Sequence, residues 1–273
     1  MAPAFWKEPF LDMATNVWAM PEEQWISDSP REEDVEILRR EAAGESNIDD
    51  GNLRGEMIRA WERGEVELHV RELPGRTRLV FLGTEGQLNQ IPWLLWTRIF
   101  QAIGHPVGYT LLYANPKKRE FPAVAGEAIA AKHMNAGYSF ICQKHTVVVY
   151  RFEEATRVLL HELLHTACFD SELPVEILEA NTEAWTEVLL CALLSKGKRA
   201  VFMRMWKQQI AWIVAQTAYL ESTWRVNTPA DYAWRYTIGR HQVLAEKGFM
   251  KSFKTLPAVT GLSLRFTTPA WGV

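Results

Sequence analysis

The chain has 273 residues, of which 48% are hydrophobic, 23% charged and 11% aromatic. This composition excludes an unstructured chain, a collagen-like repeat and a small disulfide scaffold, and the length suffices for one large core or two smaller ones. Thirty Lys+Arg against 33 Asp+Glu leave a net charge of −3, which gives no bulk attraction to nucleic acid or an anionic membrane.

Cys142, Cys168 and Cys191 are odd in number and widely spaced. They are expected as unpaired thiols of a reducing, cytoplasm-like compartment, packed as small apolar side chains. The first 25 residues lack a basic region followed by an apolar stretch, so no signal peptide is expected. The most apolar segment, residues 210–220, is too short to cross a bilayer and reads as a buried helix, so the protein is expected to be soluble with no membrane span. Most of the twelve tryptophans are assigned to the core, with the remainder open to a protein partner.

Prolines 3, 9, 21 and 30 with scattered aromatics predict an irregular arm over residues 1–30. Ser29 as cap and Pro30 in the first turn predict a charged helix to about Ala43, and Leu53 to Gly64 a second short one. Residues 78–82 read as a strand ending at Gly83, and Gly83-Thr84-Glu85-Gly86 as a turn. Residues 92–103 read as an apolar helix stopping at Gly104, and Val107 to Tyr113 as a strand broken by Asn115-Pro116. Gly137 to Cys142 and Thr146 to Arg151 flank Gln143-Lys144-His145 as a predicted antiparallel hairpin, with the β-branched Val147-Val148-Val149 deeply buried. Helices follow at about 153–168, 174–195, 199–224 and 230–247, with a loop from Pro257. Strands first and helices after predict an α+β class. The expected organisation is an N-terminal arm with short helices over 1–75, a core over 76–195 and a helical C-terminal region over 196–273.

The helix near 153–168 carries His161-Glu162-Leu163-Leu164-His165. Positions i and i+4 share a helical face at about 3.6 residues per turn, so both imidazoles can aim at one point, as a tetrahedral metal requires. Glu162, one residue on, sits beside such a metal and can polarise its water. The bland alternative is two satisfied histidines on a buried helix. Glu176, Glu179, Glu183 and Glu187 share one face of the next helix, which continues into the apolar Val188 to Leu194. A carboxylate there needs a cation or a donor, unless the face is simply solvated. His133 and His145 read as surface or core histidines, and Lys117-Lys118-Arg119 as a solvated run.

An H-E-x-x-H helix, a short loop and a glutamate-bearing helix resemble the gluzincin branch of the zincin metallopeptidases, over residues 135 to 190. In that family the third ligand follows the second histidine by about 18 to 20 residues, and an acid one turn later orients a zinc histidine. The resemblance therefore implies a zincin-like fold with a small, mostly antiparallel sheet whose edge hairpin holds peptide. It implies Zn²⁺ on His161, His165 and Glu183, with Glu187 as the orienting acid, Glu179 as the alternative ligand and Glu162 as the general base. The oxyanion donor would come from the C-terminal part, where His241 and Tyr236 lead and Tyr232 follows. Residues 135–138 and 151–154 also resemble uncharacterised H-E-x-x-H proteins of large DNA viruses. The implied activity is hydrolysis of a peptide or protein substrate. The alternative is a catalytically silent structural protein on the same scaffold, such as a virion component.

Overall fold

The structure is a computed structural model and describes residues 6–44, 48–124, 126–169, 172–250 and 253–272. The chain divides into two compact units: Met1–Met20, Arg119–Met134 and Asp170–Val273 form the first, and Pro21–Lys118 with Asn135–Phe169 the second.

The second unit holds a six-stranded sheet in the order β1 (Ile26–Asp28), β2 (Glu67–Leu73), β3 (Thr77–Gly83), β4 (Tyr109–Tyr113), β6 (Thr146–Val149), β5 (Gly137–Ser139). Pairs β1–β2, β2–β3 and β5–β6 are antiparallel, whereas β4 runs parallel to both β3 and β6. The predicted hairpin is present, and β5 is an edge strand. Strand β2 escaped the sequence reading because its polar residues break the apolar run. Its register is set by the turn before β3, where Gly75 takes φ +71° and Arg76 N–H donates to the Leu73 carbonyl at 2.9 Å.

Helices cover both faces of this sheet. Helices α2 (Glu32–Ala43) and α3 (Leu53–Glu62) lie on one, where Ile37, Leu38, Leu53 and Met57 join Val80, Leu82, Leu111 and Val148 in a core. Helix α7 (Ala155–Thr166) packs on β5, β6 and α5 (Trp93–Ile103). The two-residue period of β5 shows that these are opposite faces: Ser139 reaches α7, while Tyr138 reaches Glu41 and Arg54 of α2 and α3.

One expected cap and one expected turn differ. Helix α2 begins at Glu32, where the Asp34 carboxylate accepts the Arg31 N–H at 2.8 Å, so Arg31 and not Ser29 is the cap. The turn expected after Gly83 opens a short helix, α4 (Glu85–Leu88), capped by Thr84 and Gln87.

The first unit is helical. The expected N-terminal arm is irregular only in part: residues 1–5 lie outside the described residues, and α1 spans Glu8–Ala19 and buries Leu11, Ala14 and Val17. Pro9 is tolerated because first-turn N–H groups have no intrahelical partner. Helix α6 (Ala131–Met134) is followed in this unit by α8 (Val175–Leu194) and α9 (Arg199–Tyr219), the latter ending in a π-helical turn, Leu220–Trp224. The helix expected over 230–247 is split into a 3₁₀ turn at Tyr232–Trp234 and α10, Ile238–Glu246. Trp206 and Trp212 are fully buried here, as is Trp96 in the other unit. Among the described residues no helix is long and apolar enough to cross a membrane.

Leu111 is fully buried at the centre of the sheet. Leu111→Ala is expected to lower the unfolding free energy by about 3 kcal/mol, read as a lower denaturant midpoint at unchanged slope. A loss below about 1 kcal/mol would contradict this packing.

Candidate metal centre

All twelve residues of α7 are buried. An apolar surround of Val158, Leu159, Leu160, Leu163 and Leu164 carries the helix into the core. The i, i+4 spacing then does what the sequence predicts: His161 and His165, each 5% exposed, bring their Nε2 atoms within 3.0 Å. Their rings cross at 83° with centroids 4.7 Å apart. Two nitrogens bound to one zinc at about 2.05 Å with tetrahedral angles stand about 3.3 Å apart. The observed pair is therefore close to a chelating geometry. With one proton on Nε2 the same pair makes a hydrogen bond instead, so the spacing serves either state.

Glu162 points to the sheet. Ser139 Oγ lies 2.9 Å from its Oε2 and 2.9 Å from its backbone carbonyl. The hydroxyl thus holds the carboxylate against β5. Gly137 is needed for this closeness: a Cβ there would sit 2.5 Å from Val158 Cγ1, 2.7 Å from the Val148 carbonyl and 3.3 Å from Glu162 Oε1.

Cys142 and Cys168 form a disulfide with Cα atoms 4.5 Å apart, which corrects the expectation of three unpaired thiols. The 26-residue separation is closed because the hairpin turn returns to the C-terminal end of α7. Loop closure of that size stabilises by about 3.5 kcal/mol. Cys191 alone fits the expectation: it is free and buried, and burial, then the Glu187 carboxylate, push its thiol pKa well up.

In the first unit, helix α8 carries the acidic column. Glu176 is half-buried, 3.6 Å from Arg235. Glu179 is half-buried and Glu183 is 1% exposed. Glu187, fully buried, meets Arg240 Nη1 at 2.9 Å. Arg240 also donates to the Phe266 carbonyl at 3.0 Å and to Gln216 Oε1 at 2.9 Å. The sequence reading missed this arginine, although it adjoins His241.

Tyr236 lies beside Tyr232, hydroxyls 3.4 Å apart. Burial first, then the Glu179 carboxylate, push its phenol well above its ordinary value, so it stays an O–H donor. His241 Nδ1 is 3.0 Å from Thr217 Oγ1, and burial, then Arg240, lower its pKa. His133 is a local cap, its Nδ1 accepting the Ala130 N–H at 3.0 Å. Comparison with family models, curated proteins and solved structures finds no match.

The shift of His241 has a sign in stability. Its folded pKa lies below the ordinary 6.5, so within that window the unfolded chain binds more protons and stability falls as pH drops below about 6.5. Urea titrations of His241→Gln between pH 7 and 5 are expected to show a shallower fall than wild type. Parallel curves would remove this histidine from the acid response.

Proposed function

We propose that the chain is a divalent-metal-dependent hydrolase of peptide bonds, with zinc the best-fitting ion. The observation that carries this reading is the buried imidazole pair, Nε2 to Nε2 at 3.0 Å, beside a carboxylate oriented by its own hydrogen-bond donor. Buried groups of this kind without a ligand task are rare. Two imidazoles and one carboxylate suit zinc better than magnesium or calcium, which prefer oxygen donors.

His161 and His165 would supply two donors and helix α8 the third. Glu183, in the spacing of the gluzincin resemblance, is the ligand this reading favours, and Glu179, one turn earlier on α8, is the alternative. A divalent ion held there would supply Lewis acidity to a water and a carbonyl. Glu162 then accepts a proton from the attacking water and returns it to the leaving amine. Ser139 keeps its carboxylate in one rotamer. In this reading Glu187 would be the orienting acid, and Tyr236 or His241 would donate to the developing oxyanion.

Protein prepared without chelators is expected to carry about one zinc per chain by elemental analysis, and His161→Ala to lose it. Glu162→Gln should keep the metal and lose about 10²- to 10⁴-fold in turnover of a peptide library. Glu179→Ala and Glu183→Ala separate the two candidate ligands by which one releases zinc. Zinc-free wild-type protein would sink the metal reading. Bound zinc without hydrolysis would leave a silent scaffold.

A further inference from the structure

We propose that the Cys142–Cys168 disulfide is a redox clasp that holds the edge strand β5 and its turn on the histidine-bearing helix. Its consequence for zinc rests on the metal reading above; its structural content does not.

Three links join this strand and turn to α7 within the same unit. Ser139 Oγ bonds both the carboxylate and the carbonyl of Glu162. Cys142 N–H donates to the His165 carbonyl at 3.0 Å. The disulfide then ties Cys142 to Cys168, three residues beyond His165, and Cys168 N–H reaches the same carbonyl at 3.1 Å. The second histidine's carbonyl is therefore gripped by the amides of both bonded cysteines.

The backbone at both ends of the bond is held in an unfavourable form. Cys142 has φ +63° and Cys168 φ +61°, a left-handed conformation disfavoured for residues with a Cβ. Beyond β5 the chain is half-open, with Phe140 57% and Ile141 40% exposed. With its apolar side chains this exposed, the turn depends on the disulfide and on the amide contact to the His165 carbonyl.

Reduction breaks one S–S bond and delivers two electrons and two protons. A dithiol reductant attacks as thiolate, passes through a mixed disulfide and leaves as its own cyclic disulfide, while Cys142 and Cys168 become thiols. Both residues then relax from the left-handed region and the two amides leave the His165 carbonyl. Ser139 loses its fixed distance to Glu162. The oxidised state is the one in which the pair and its base are held in register.

The test uses the full chain. Protein purified without reductant, denatured and alkylated, is expected by mass spectrometry to show one free thiol, Cys191; three would overturn the clasp. Hydrogen exchange on zinc-free protein, before and after a dithiol, is expected to rise at least tenfold at residues 139–143 and 166–169 while β3 and β4 keep their rates. No change at either segment overturns the proposal. The double variant C142S/C168S is expected to reproduce the reduced pattern without reductant and to weaken zinc about tenfold against a competing chromophoric chelator. If that variant does not fold, exchange in the reduced wild type decides. Protein that binds no zinc in either state but opens on reduction keeps the clasp and loses the metal reading. Protein that holds zinc equally, with unaltered exchange, does the reverse.

Discussion

Helix α7 is buried along its length, and Arg157, His161, Glu162 and His165 go into the interior with it. Polar groups withdrawn from water must be met inside the protein, or the helix would not stay there. That requirement organises its surroundings. The imidazoles face each other, the glutamate meets a serine, and Thr156 accepts the indole N–H of Trp96 at 3.0 Å. The leucines and valines between them supply the apolar burial that makes the polar placement affordable in free energy. A carboxylate and two imidazoles are thereby kept from bulk water, in surroundings that strengthen their electrostatic interactions.

Strand β5 shows how the sheet serves that helix. Its two faces differ in size of side chain. Gly137 and Ser139 face α7, and only a residue without a side chain fits at 137, given the distances to Val158 and Val148. Tyr138 faces the other way, accepting from Arg54 at 2.6 Å and donating to Glu41 at 2.6 Å. Arg54 in turn pairs with Asp49 at 3.0 Å. An edge strand has one row of backbone groups without a strand partner, so these side-chain anchors and the disulfide compensate for the missing neighbour.

Helix α8 poses the same problem with acids. Glu187 lies on a stretch whose neighbours Val188, Leu190 and Cys191 are buried, and Arg240 answers it with a pair in which both partners are fully buried. Such a pair adds little net stability over an apolar replacement, because desolvation offsets most of the attraction. Its effect is on placement: Arg240 also holds Gln216 and the Phe266 carbonyl, so α8, α9, α10 and the C-terminal tail are fixed together at one guanidinium.

Local patterns were enough for much of this. The β-branched run 147–149, the apolar helix stopping at Gly104, the 137–151 hairpin and the i, i+4 histidines with their intervening glutamate all follow from periods of two and about 3.6 residues, which neighbouring side chains impose on one another. Helix α1 was hidden by Pro9, which the first turn tolerates, and β2 by the polar residues that interrupt its apolar ones. The chain by itself thus determined most of the elements and the face on which His161 and His165 meet. Tertiary structure alone decided that Cys142 would find Cys168, that Ser139 would hold Glu162 across 23 residues, and that Arg240 would neutralise Glu187 across 53. Those partners are chosen by which elements are packed side by side, and no local periodicity records that choice.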